Sequence, residues 1–175
     1  FANMTTFGGG GLTALSQQML GASDFYTGAF PAEFGNALSG VFDLKLRSGN
    51  PDNYEHAVQV GLTGIDLSSE GPFKKGSGST YLFNYRYSIF ALISPILPED
   101  AGNIKYQDLS FKMDFPTKKS GTFSLWGIGS TDISGTQAEG EPEDWQYEAD
   151  QEEGQGRPYM GALGLTHKLI IGKRS

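Results

Sequence analysis

The chain has 175 residues, 25 of them glycine and 13% aromatic, with 19% charged and a formal net charge of −7. The absence of cysteine excludes a disulfide scaffold and a thiolate metal site, two widely separated histidines argue against a histidine-rich cluster, and the acidity argues against nucleic-acid binding. No apolar run approaches the roughly 18 residues of a transmembrane helix, so two classes remain: a soluble β-rich domain, or a β-barrel wall with its weak apolar signal per strand.

Residues 1–23 are glycine-rich, with Gly8 to Gly11 in a run. Leu12 to Leu20 fits either a short helix, with Leu12, Leu15 and Met19 on one side, or an irregular buried loop. Asp24 to Gly28 reads as a short strand, and residues 29–36 as a turn region punctuated by Pro31, Gly35 and Asn36. From Gly40 to Arg47 the pattern alternates: Phe42, Leu44 and Leu46 on one face, Asp43, Lys45 and Arg47 on the other. That is a half-buried strand. Residues 48–53 (SGNPDN) end it and form the clearest boundary in the chain.

Beyond the boundary the pattern is a meander of six expected antiparallel strands, at 56–63, 65–73, 79–90, 104–115, 122–128 and 158–170. His56, Val58, Val60 and Leu62 share a face in the first, and Ile65, Leu67 and Phe73 in the second. An aromatic stripe of Tyr81, Phe83, Tyr85 and Tyr87 marks the third. Leu109, Phe111, Met113 and Phe115 mark the fourth. In the fifth, Trp126 and Ile128 blur the alternation of Phe123 and Leu125 against Thr122 and Ser124. Leu163, Leu165 and Leu169 mark the sixth. The opposite faces carry Asp66, Glu70, Arg86, Asp108, Lys112 and Asp114. Tyr81, Tyr85, Tyr87 and Tyr106 suit an interfacial belt.

Connections alternate between short turns and long loops, at 91–103 and 129–157, which is the layout of outer-membrane barrels. Each short turn holds a basic pair: Lys74-Lys75, Lys118-Lys119 and Lys173-Arg174. The second long loop holds nine carboxylates from Asp132 to Glu153 and no base before Arg157. The plain reading is a solvated loop. A cation site is the sharper alternative, but the spacing matches no EF-hand loop. The chain starts at Phe1 and stops in the turn-like 172–175 (GKRS), so it is expected to be one segment of a longer protein.

The stretch 25–49 (FYTGAFPAEFGNALSGVFDLKLRSG) carries Gly28, Pro31, Ala32, Gly35, Asn36, Ser39, Gly40 and Val41, then Arg47-Ser48-Gly49. It resembles the end of the plug of TonB-dependent outer-membrane receptors, with its G-x-x-P-A-x-x-G-N-x-x-S-G-V core and R/K-S-G exit. Residues 70–88 and 106–112 look like early barrel strands of the nutrient-uptake receptors that carry a carboxypeptidase-like N-terminal extension. The resemblance covers about residues 8–128, and beyond them only the layout. It implies an all-β fragment of a 22-stranded transmembrane barrel: the C-terminal part of an α+β plug at 1–49, a linker at 50–54 and about six wall strands at 55–175.

The family's role is active import of a scarce nutrient (siderophore, cobalamin, oligosaccharide or peptide) across the outer membrane of a Gram-negative bacterium. Energy comes from a TonB-type complex through a part not in this chain. A surface lipoprotein partner stays open. No TonB box, first plug portion or terminal aromatic strand is present here. Structural signature positions are Gly28, Pro31, Ala32, Gly35, Asn36, Gly40, Arg47 and Gly49. Polar plug–wall contacts are expected from Lys45 or Arg47 to Asp66, Glu70, Asp108 or Asp114, and from Asp43 to Arg86 or Lys112. No catalytic residue, metal or cofactor is expected, because no nucleophile elbow, phosphate loop or metal motif occurs. The rival reading is a binding module: a small non-transporting outer-membrane barrel or a soluble β-sandwich.

Overall fold

The computed structural model describes residues 15–28, 30–35, 39–61, 64–89, 105–136 and 154–170. Gly8 to Leu12, Asn36, Leu62, the 91–103 connection, most of the acidic loop and Lys173-Arg174 lie outside the described residues. The chain is all-β. A small antiparallel sheet pairs β1 (Asp24–Tyr26) with β2 (Val41–Asp43). The main sheet is an antiparallel meander of β3 (Glu55–Gly61), β4 (Gly64–Pro72), β5 (Thr80–Tyr87), β6 (Lys105–Pro116), β7 (Thr122–Thr136) and β9 (Tyr159–Lys168). The three-residue β8 (Gly154–Gly156) pairs with the far end of β7, just ahead of β9. No described helix is long and apolar enough to cross a membrane, which leaves strand-built membrane walls untouched.

The register stacks like faces across the sheet. Val58, Leu67, Tyr85 and Leu109 stand opposite one another in turn, as do Phe83, Phe111, Gly127 and Leu163. Asp66, Arg86, Asp108 and Ser130 form a row on the other face. This polar face is the covered one. Asn84 and Ser110 are 0% exposed, whereas Leu163 and Leu165 on the apolar face are 73% and 74% exposed. Val58, Val60, Phe83, Leu109, Phe115 and Phe123 are exposed with them. An antiparallel sheet in water does the reverse.

The segment before residue 50 covers the polar face. Ser16 caps a 3₁₀ turn (Gln17–Met19) by accepting from the Gln18 amide, and the turn drops Met19 onto the sheet. Leu15, Met19, Leu82 and Ile128 form a small apolar cluster, joined by Leu20, Leu46 and Trp126. Trp126 and Ile128 therefore break the fifth strand's alternation because they face the N-terminal segment.

Three expectations need correction. The strand over 40–47 is interrupted: it pairs over Val41–Asp43 and again at Leu46 with Leu20. Three residues lie between Leu20 and Asp24, but only two lie between Asp43 and Leu46. This one-residue bulge is bridged by the Ser23 hydroxyl, which accepts from the Lys45 amide. The long loop expected from 129 is shorter, since β7 runs on to Thr136; Asp132 is a buried strand residue, not a loop carboxylate. Tyr106 is no belt residue. It lies one position out of phase with Tyr85 and Tyr87 and is buried on the polar face.

Candidate interface between the N-terminal segment and the sheet

Arg47 is the main tie. Its guanidinium donates to both Glu70 carboxylate oxygens, Nη1 to Oε2 at 2.7 Å and Nη2 to Oε1 at 2.6 Å. Nε donates to the Gln18 carbonyl at 2.6 Å, and the Arg47 amide donates to Met19 O at 3.0 Å. Glu70 also accepts from the Asn50 amide at 2.8 Å. The hydrogen bond to Glu70 raises the Arg47 pKa still further, so the guanidinium is charged at every accessible pH. The fork is bidentate and part-buried, the geometry in which an ion pair specifies orientation as well as contributing energy.

Two further contacts cross the interface. Lys112 donates to the Leu46 carbonyl at 3.0 Å and to Ser48 Oγ at 3.3 Å. Asp66 accepts from Ser16 Oγ at 2.6 Å and, on its other oxygen, from the Asn84 amide group. Asp108 serves the wall itself: Arg86 Nε and Nη2 donate to it at 2.9 and 2.8 Å. Asp114 accepts from Ser124 Oγ, with Lys112 Nζ 3.8 Å from its second oxygen.

The expected contacts are thus sorted by the structure. Arg47 and Glu70 meet; Asp66 and Lys112 reach the segment through uncharged partners. Asp43 meets neither Arg86 nor Lys112. It lies 3.2 Å from Lys45, which also donates to Asp24 at 2.8 Å. Hydrogen bonds to Asp24 and then Asp43 hold the Lys45 ammonium above the usual lysine range. Asp24 and Asp43 are register partners in the small sheet, and Lys45, two residues past Asp43, reaches both. Ser16, Gln18, Ser48, Asn50 and Asn84 complete the interface. Asn84 had a cue in the alternation of its strand and Asn50 in its place in the turn after Gly49, whereas Ser16, Gln18 and Ser48 had none.

The signature glycines differ in their reasons. A Cβ on Gly49 would strike the Tyr81 carbonyl oxygen, so Gly49 is where the chain passes against β5. Gly28 has φ +75°, a left-handed turn position. Pro31 precedes the short 3₁₀ turn Ala32–Phe34, whose Phe34 ring packs 5.7 Å from Tyr26. Gly40 sits beside the stacked Phe25–Phe42 pair, with centroids 4.2 Å apart.

The cover is incomplete. A cavity of about 370 Å³ lies between Ser16, Gln18, Gln59 and Arg86, and one of about 490 Å³ between Leu44, Lys112, Trp126 and Thr166. Asn84 Oδ1, Ser110 Oγ and both Asp132 oxygens are buried without a hydrogen-bond partner among the described residues. No three metal-ligating side chains cluster among the described residues. The arrangement is a polar face covered by the N-terminal segment. Comparison with protein-family models, curated proteins and solved structures finds no match to this chain.

Proposed function

We propose that this chain is the plug–wall junction of a TonB-dependent outer-membrane transporter: residues 1–49 from the plug, 50–54 a linker, and the main sheet a stretch of its 22-stranded barrel. The whole protein would import a scarce nutrient, taken up at the cell surface, into the periplasm of a Gram-negative bacterium. The observation that carries this reading is the inverted sheet. Glu70, Asn84, Asp108 and Asp114 on the face beneath the N-terminal segment are buried, whereas Val58, Val60, Phe83, Leu163 and Leu165 on the other face are bare. Soluble monomers rarely expose an apolar patch larger than a few hundred Å². Hydrocarbon outside and a polar lumen inside make the inversion favourable.

Dimensions support it. Ten residues of β9 span about 33 Å and, tilted by about 40°, rise about 25 Å, the height of the apolar band of such walls. A plug held by hydrated polar contacts also suits a lumen that must open. These 175 residues hold no cysteine, so single cysteines introduced here into a protein cleared of any others give unique labelling sites. Nitroxides at Val58, Leu163 and Leu165 of the intact protein in vesicles should be relaxed by oxygen and shielded from a water-soluble nickel complex. One at Thr166 should show the opposite. Nickel access at all four positions would overturn the proposal in favour of a soluble binding module.

A further inference from the structure

The lysines of the described short turns are exposed, and Lys75 lies 6.0 Å over the Tyr54 ring. Lys74 and Lys75 sit in the β4–β5 turn and Lys118 and Lys119 in the β6–β7 turn, and none forms an ion pair among the described residues. The carboxylates nearest them on these strands, Glu70 and Asp114, are on the covered face and engaged by Arg47 and Ser124. The two turns are two strand spacings apart, about 10 Å, close enough for the four charges to act together at physiological ionic strength.

Directly inward of these lysines, on the bare face, is a row of rings. Phe73 lies 5.4 Å from Phe115 and 5.5 Å from Tyr81, and Phe123 stacks on His167 at 4.4 Å. Phe115, Phe123 and His167 stand opposite one another in the register. Inward of the rings come Phe83, Phe111, Leu163 and Leu165. The order along the wall is cationic, aromatic, then a mixed tier of Phe and Leu. It matches phosphate, interface and hydrocarbon in depth. An acidic protein partner would complement the lysines but would not account for the two apolar tiers beneath them.

We infer that the short-turn rim is a binding site for anionic phospholipid headgroups, with Lys74, Lys75, Lys118 and Lys119 holding the phosphate and the Phe73–Phe115 and Phe123–His167 rings seating the glycerol region. The inference rests on the membrane-wall reading. Its test uses the intact protein reconstituted in phosphatidylcholine vesicles. Association of spin-labelled phosphatidylglycerol is compared there with that of spin-labelled phosphatidylcholine. The wild type should prefer phosphatidylglycerol, and the K74Q/K75Q/K118Q/K119Q variant should lose about tenfold of that preference, since each rim lysine strengthens attraction to an anionic surface. The preference should fall with added salt and survive K105Q/R157Q, which removes the cations of the opposite rim. An inserted wild type without the preference, or a quadruple variant that keeps it, overturns the inference alone. A protein that fails to insert overturns the membrane-wall reading itself.

Discussion

Arg47 gathers four hydrogen bonds in one side chain and its own amide: two to Glu70, one to Gln18 and one to Met19. Removing its partner leaves a part-buried guanidinium half satisfied. Glu70→Gln should therefore loosen the segment by about 1–3 kcal/mol, below the range for fully buried pairs because Arg47 keeps some solvent contact. Limited proteolysis within residues 15–26 reads this directly; an unchanged cleavage rate would refute it. Arg47→Lys should cost nearly as much, since an ammonium cannot make the fork. Gly49→Ala has a different cause, the Tyr81 carbonyl, and rigid backbone on both sides leaves little room to yield. It should cost about 2 kcal/mol or more. Gly35→Ala should cost little, because φ there is −62° and a Cβ meets only ordinary contacts. Equal destabilisation at both glycines would contradict this distinction.

At the scale of strands, the decisive property is which face looks outward. In water, Leu163→Arg on an exposed strand should change stability by no more than about 0.5 kcal/mol. In a bilayer it should cost about 2–4 kcal/mol at mid-depth. Urea unfolding of the intact protein in vesicles separates the two, and a neutral substitution would sink the membrane wall. The strands themselves were legible from their period of two, because the apolar row Leu67, Tyr85, Leu109 and the polar row Asp66, Arg86, Asp108 each keep step through the register. The far half of β7 was not. Gly129, Thr131, Ser134 and Gly135 give it neither an apolar face nor a charge alternation, and its partners Gly154 and Gly156 are equally plain. Tyr106 suits a belt by residue type, but its phase against Tyr85 and Tyr87 puts it on the covered face. At the junction, charge alternation points to Lys45 or Arg47 against Asp66, Glu70, Asp108 or Asp114, and Arg47–Glu70 is the one of those pairs that forms. It points to neither the Ser16–Asp66 nor the Asn50–Glu70 bond, since their donors are common loop residues.

Across the whole molecule, two units of unequal cohesion meet. The wall is held by continuous ladders, with β6 and β7 paired over the full length of β6. Among its described residues, the segment over it has three register pairs between β1 and β2, one isolated bridge, and an apolar cluster to which it contributes Leu15 and Met19 as its buried members. Those two side chains supply about 3–6 kcal/mol at most, before the entropy of ordering the segment is subtracted. The ion pair is partly hydrated and adds little beyond orientation. Cavities on either side further reduce the contact. The segment should therefore open as a separate cooperative unit while the wall stays paired. Hydrogen exchange of the intact protein in mild urea tests this at named amides. Gly21, which donates to Lys45 O, and Arg47, which donates to Met19 O, should lose protection at a denaturant concentration where Leu82 and Ser110, within the β5–β6 ladder, keep theirs. Glu70→Gln should move the first transition to lower urea and leave the second in place. A single transition shared by all four amides would mean that segment and wall are one unit. The polar junction would then be a permanent part of the fold instead of a contact that can be released.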